Sequence, residues 1–156
     1  MRTDNTNTEN AMSGVDGMGV VGSREWVAGC VDPETAAERA TVLVNAGRDA
    51  AATTGDRAGE SASRAYWERE AERLLAALLH AAALAGASVA DVRRWACDPA
   101  GSDERVAALL RESGSGLLLA DHRRFVDLPA RPRCSITASL VSLLAPVAAA
   151  DGGEVA

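Results

Sequence analysis

The sequence predicts an all-α fold, a bundle of about six helices behind a disordered N-terminal leader. Three observations carry that reading. The apolar residues are mostly Leu and Ala, with alanine alone about a fifth of the 156 residues, against a usual pattern in which several residues share the lead. Only Trp26, Tyr66, Trp67, Trp95 and Phe125 are aromatic and Ile136 is the one isoleucine, so the residues that favour strands are scarce. No window alternates apolar and polar residues over a strand's length, while helix start and stop residues recur along the chain.

The elements follow in order. Residues 1–24 are rich in Asn, Thr, Gly and Ser and have almost no large apolar side chains, so they cannot offset their ordering entropy and are expected to be disordered. They do not read as a signal peptide, which needs a basic region leading into an apolar run. The domain proper is expected over residues 25–147, with its helices starting near residue 32. Asp32-Pro33 supplies an N-cap and a proline at the first helical position, and that helix should run to about Asn45 and stop at Gly47. Residues 48–61, with Gly55 and Gly59, read as a polar linker. Ser63 can cap a long helix ending at Gly86, on which Trp67, Ala71, Leu74, Leu75, Leu78 and Ala82 form one apolar face opposite Glu68, Arg69, Glu72 and Arg73. Ser88 and Asp91 resemble a capping box for a short helix through Trp95 and Cys97, closed by Asp98-Pro99. Ser102 should cap another helix, from Asp103 to Glu112, stopped by Gly114 and Gly116. A further helix is expected over Leu117–Leu128. A last one should cover Ser135–Leu144, with Pro146 ending or kinking it, and residues 148–156 should form a flexible tail.

Charge and residue usage then narrow the chemistry. With 22 acidic and 16 basic residues the net charge is −6 and the pI is near 4.9, which argues against a protein that mainly binds nucleic acid. Every basic residue is arginine. A chain without lysine cannot by itself complete a P-loop, a Schiff-base site or a protein-kinase core. GC-rich codons account for part of this bias. Cys30, Cys97 and Cys134 are far apart and match no metal-ligand spacing, so they are expected to be three buried or half-buried free thiols in a reducing cytoplasm. His80 should pack at the edge of the core. His122, within Asp121-His122-Arg123-Arg124, should lie on a solvated face. No catalytic constellation, metal site or cofactor site emerges from these residues. Leu74–Ala90 and Cys134–Ala150 carry no Asp, Glu or Arg, yet both fall short of about 20 strongly apolar residues and read as buried helices, not membrane spans.

Two basic pairs, Arg93-Arg94 and Arg123-Arg124, remain as the residues most suited to binding a partner. Ser88–Leu110 also has the spacing of a helix-turn-helix, the basis of an alternative reading as a small DNA-binding regulator. The acids Asp103-Glu104 at the start of its second helix would repel phosphates.

Three segments, in order, resemble one family. They are Trp26-Val27-Ala28-Gly29-Cys30-Val31-Asp32-Pro33-Glu34-Thr35-Ala36; Tyr66-Trp67-Glu68 on through Leu74-Leu75 and Leu78-Leu79-His80-Ala81-Ala82-Ala83-Leu84-Ala85-Gly86 to Val89-Ala90-Asp91-Val92-Arg93-Arg94-Trp95; and Arg131-Pro132-Arg133-Cys134-Ser135-Ile136 through Leu144-Ala145-Pro146. Together they resemble the all-α domain inserted in the motor of conjugative DNA-transfer coupling proteins of type IV secretion systems, the TraG/TraD class. The second segment is the most specific. The resemblance implies a helical domain that faces the cytoplasm at a membrane secretion complex and helps select a relaxase or other conjugative transfer proteins. It also implies a separate motor subunit as a partner, because the family's Walker A and Walker B motifs are not in this chain. No ATPase activity is expected, and the chain is read as a binding module or a truncated remnant.

Overall fold

A computed structural model describes residues 23–53 and 61–152, which form seven α-helices and no strand. The disorder expected of residues 1–22 and the frayed end expected at 153–156 lie outside the described residues. Helix α1 (Ser23–Ala28) begins at the end of what reads as leader, and it and a 3-10 turn (Gly29–Val31) precede the first helix start expected, near residue 32. Val27 and Cys30 explain this, because both are fully buried and fasten the segment to the core.

Helix α2 (Pro33–Thr53) starts where expected, with Asp32 Oδ2 accepting the Thr35 N–H at 3.1 Å. It does not stop at Gly47 but continues through residues 48–53 of the expected linker. A Cβ on Gly47 would sit 2.8 Å from Leu143 Cδ2, so this glycine provides a close approach between helices and no break.

Helix α3 (Ser61–Ala85) is the hub and packs against every other helix and the 3-10 turn. Residues 74–82 are buried on all sides, as expected of the uncharged stretch from Leu74 and beyond the single apolar face of the helical spacing. Its alanines (Ala76, Ala77, Ala81, Ala82) let neighbours approach closely all round. Nearer its start the polar side faces α2: Arg48 Nε pairs with Glu68 at 2.7 Å and the Thr41 hydroxyl donates to Glu72 at 2.6 Å. Gly86, at φ +64°, ends the helix, and the Ala87 N–H bonds back to the Ala82 carbonyl at 2.8 Å, a Schellman closure.

Helix α4 (Val89–Cys97) carries the expected capping box. Ser88 Oγ accepts from Asp91 N–H, and the Asp91 carboxylate accepts from Ser88 N–H at 3.0 Å. Helix α5 (Pro99–Glu112) begins earlier than expected, because Asp98 is the cap and Pro99 the first residue. Ser102 lies inside the helix, buried, with its hydroxyl on the Asp98 and Trp95 carbonyls at 2.8 and 3.2 Å. Helix α6 (Gly116–Val126) follows a turn in which Gly114 adopts φ +74°.

Helix α7 (Ala130–Gly152) exceeds Ser135–Leu144 at both ends and runs into the expected tail. Arg133 reaches back to the Val126 carbonyl at 3.1 Å, and Thr137 donates to the Ala96 carbonyl at 3.1 Å. Pro146 is accommodated within the helix: the turn before it exposes Ser142, so water can take the carbonyl that proline leaves unpaired. Ala130–Ala149 is the one stretch among the described residues long and apolar enough to cross a bilayer. Here Ile136, Leu140, Leu144 and Val147 turn into the core at helical spacing.

Candidate functional site

Helix α5 separates the two arginine pairs. Arg93 and Arg94 project from α4, and Arg123 and Arg124 from α6; all four are exposed. Arg94 is bound to Asp91 one turn before it, and the Ser88 backbone N–H, then the Ser88 hydroxyl and Arg94, hold the Asp91 carboxyl below its ordinary range against partial burial. Arg124 reaches Glu70 on α3 at 3.0 Å, and Arg73 approaches the same oxygen at 3.4 Å. Glu70 is only 9% exposed, so these arginines neutralise a nearly buried carboxylate. Burial raises the carboxyl of neighbouring Asp121. Arg93 and Arg123 carry no ion pair among the described residues.

Two clefts flank α5. One, of about 210 Å³, is bordered by Arg94 and Trp95 of α4 and by Arg105 of α5, whose guanidinium lies 5.9 Å from the Trp95 ring centre. The other, of about 400 Å³, is bordered by Asp103, Glu104 and Arg111 of α5 and by Arg123 of α6. Arg105 and Arg111 thus join the basic pairs around one helix, which the linear sequence did not suggest because they stand alone in it. Carboxylates alternate with them, giving a surface of mixed charge. A larger cleft of about 490 Å³ between α2, α3 and α7, walled by Trp67, Glu68 and Leu143, includes none of the four arginines.

The histidines depart from expectation. His122 is 1% exposed, because its position on α6 turns it toward α5 and not toward solvent. Its Nε2 donates to Asp103 at 3.0 Å, while Nδ1 is buried without a partner. Burial pushes its pKa down, partly opposed by Asp103, so the neutral ring is favoured. His80 is also 1% exposed, well inside the expected core edge. Its Nδ1 lies 2.9 Å from the Cys30 carbonyl oxygen, which can only accept, so Nδ1 carries the proton and Nε2 accepts. Ser115 Oγ lies 3.0 Å and Ser113 Oγ 3.2 Å from Nε2. Ser113 has two other acceptors, the Leu110 carbonyl and Ser115 Oγ, each at 3.0 Å, which leaves Ser115 as the donor to the imidazole. Sequence spacing could not reveal this group, since its members come from three distant segments. The one available signal was a lone mid-helix histidine and a Ser-Gly-Ser-Gly turn.

Cys30 is buried, and burial pushes its thiol up to about 11 against a partial counter-effect from Arg39. Cys97 and Cys134 are exposed, not half-buried as expected, and all three thiols are free. No cluster of three potential metal ligands occurs among the described residues. No protein-family model matches the chain, and neither a characterised protein nor a solved structure matches it.

Proposed function

We propose that the chain is a helical protein-binding module related to the all-α domain of conjugative coupling proteins, and that it captures a relaxase or another transfer protein around α5. The observation that carries this reading is the mixed-charge surface on both sides of that helix. Arg94, Arg105, Arg111 and Arg123 are interleaved with Asp98, Asp103 and Glu104, and the exposed Arg93 stands next to Arg94 on α4. Alternating signs suit a protein partner with its own charge pattern better than a uniform phosphate backbone. Packing of the three family-like segments into one core supports the relation: Val27 and Cys30, then Leu74, Leu78 and His80, then Ile136, Leu140 and Leu144 are all buried together or hydrogen-bonded to one another. ATP hydrolysis would fall to a separate motor subunit, and the module would work in the cytoplasm beside a membrane complex.

Capture of a purified conjugative relaxase by the immobilised chain tests this. R93E/R123E is the informative variant, because it leaves the Asp91–Arg94 and Glu70–Arg124 pairs intact. The proposal expects capture by the wild type and loss of at least about 10-fold in affinity in the variant, the scale of one or two interfacial charge contacts. Equal capture by both proteins removes these arginines from the interface. A salt-dependent shift of duplex DNA, with no relaxase capture, would favour the helix-turn-helix regulator instead.

A further inference from the structure

The group around His80 has a geometry that the binding function does not use. Ser115 is the N-cap of α6, yet its side chain makes no capping bond. Its hydroxyl is directed to His80 Nε2 at 3.0 Å, while His80 Nδ1–H is fixed on the Cys30 carbonyl. A hydroxyl, an imidazole that accepts its proton and a third group that holds the tautomer form the arrangement that activates a serine. We propose that Ser115 is a nucleophile that takes acyl groups from small carboxylic esters, with His80 as its general base.

Hydrogen bonding favours Ser115 over the more exposed Ser113. Ser115 is half-buried, so a reagent can still reach it, whereas the imidazole behind it is shielded from water. Both flanking residues are glycines, Gly114 and Gly116, and nothing lies within 4 Å of where a Cβ on either would stand. Leu117, 77% exposed, offers an apolar contact for a short acyl chain. Ser113 reaches the same nitrogen, but its proton has the Leu110 carbonyl as an alternative.

In the reaction, Ser115 Oγ bonds to the ester carbonyl carbon as its proton passes to His80 Nε2. The spent imidazolium keeps its Nδ1–H on Cys30. The tetrahedral adduct collapses by breaking the bond to the alcohol or phenol oxygen, which departs with the proton from Nε2. Water then bonds to the acyl carbon as its proton passes to His80 Nε2; the bond from that carbon to Ser115 Oγ breaks, the oxygen takes the proton back from Nε2, and the carboxylic acid leaves. No oxidant or metal is needed.

p-Nitrophenyl acetate is the probe, used on the full chain carrying C97S and C134S so that the exposed thiols do not react. The absence of lysine removes the usual amine background. The expected result is acetylation mapped to Ser115 by peptide mass spectrometry. Release of p-nitrophenolate should be about 100-fold faster than in S115A, the usual scale of general-base assistance. S113A should retain the reaction within a few-fold, and H80N, provided its helical circular dichroism is native, should lose it. The proposal is overturned if S115A releases p-nitrophenolate as fast as its parent, if acetyl is found only at Tyr66 or the N-terminal amine, or if a folded H80N still acetylates Ser115. Should H80N not fold, the S113A and S115A comparison still decides between an activated serine and a purely structural hydrogen bond.

Discussion

His80 Nδ1 lies 2.9 Å from the main-chain oxygen of Cys30, 50 positions earlier, and this bond joins the hub helix α3 to the 3-10 turn that precedes α2. On its other side the same ring meets the α5–α6 turn. One buried imidazole therefore pins three parts of the chain. Replacing it by leucine keeps comparable bulk but leaves the Cys30 carbonyl without its donor. His80→Leu should lower stability by about 1–3 kcal/mol, the cost of a buried group left unpaired, read as a lower urea midpoint with an unchanged slope.

Acid should act through His122. Burial holds its folded pKa below the ordinary 6.5, so the folded state binds its proton less readily than the unfolded chain. Its contribution is complete above pH 6.5 and is lost as the pH falls below that value toward the folded pKa. Urea midpoints at pH 7.5 and 5.5 should differ in the wild type. The difference should shrink in His122→Phe, and a variant with the same pH dependence would assign the effect elsewhere.

Alkali should act through Cys30, whose buried thiol is pushed up to about 11 from 9.0. The unfolded chain loses this proton first. Stability from Cys30 is thus intact below pH 9 and falls as the pH rises through 11, by about 2–3 kcal/mol in all. Comparing the midpoints of wild type and Cys30→Ala at pH 8 and pH 10.5 checks this, with a smaller pH-dependent loss expected in the variant.

Gly47 tests the contact between α2 and α7. The first added carbon would already stand 2.8 Å from Leu143. Gly47→Val should therefore cost about 1–3 kcal/mol from overpacking, despite valine's better helix propensity. Pairing it with Leu143→Ala should recover part of the loss in a double-mutant cycle.

Much of the fold was legible because helix ends are local chemistry. Asp32-Pro33, the Ser88–Asp91 box and Gly86 act where the letters place them. The errors arose where tertiary contact overrides a local signal. Gly47 reads as a stop but meets Leu143, and Ser102 reads as a cap but is buried with its hydroxyl on carbonyls of the preceding turn. Pro146 reads as an end or a kink, and the helix continues through it on an exposed turn. The site was harder still. Asp121-His122-Arg123-Arg124 looks uniformly solvated in sequence, yet the helix turns His122 inward and leaves Arg123 outside. Arg105 and Arg111 gain their setting only when α5 lies between α4 and α6.

The proposed binding module must fold without a motor, around one core built from all three family-like segments. Trp26 on α1, Trp67 on α3 and Trp95 on α4 report on different parts of that core. The decisive measurement is urea unfolding of the chain alone, followed by tryptophan fluorescence and by far-ultraviolet circular dichroism. The account predicts a single cooperative transition with coincident midpoints for the two signals. A gradual loss of helix, or a fluorescence transition that precedes it, would contradict a self-sufficient module.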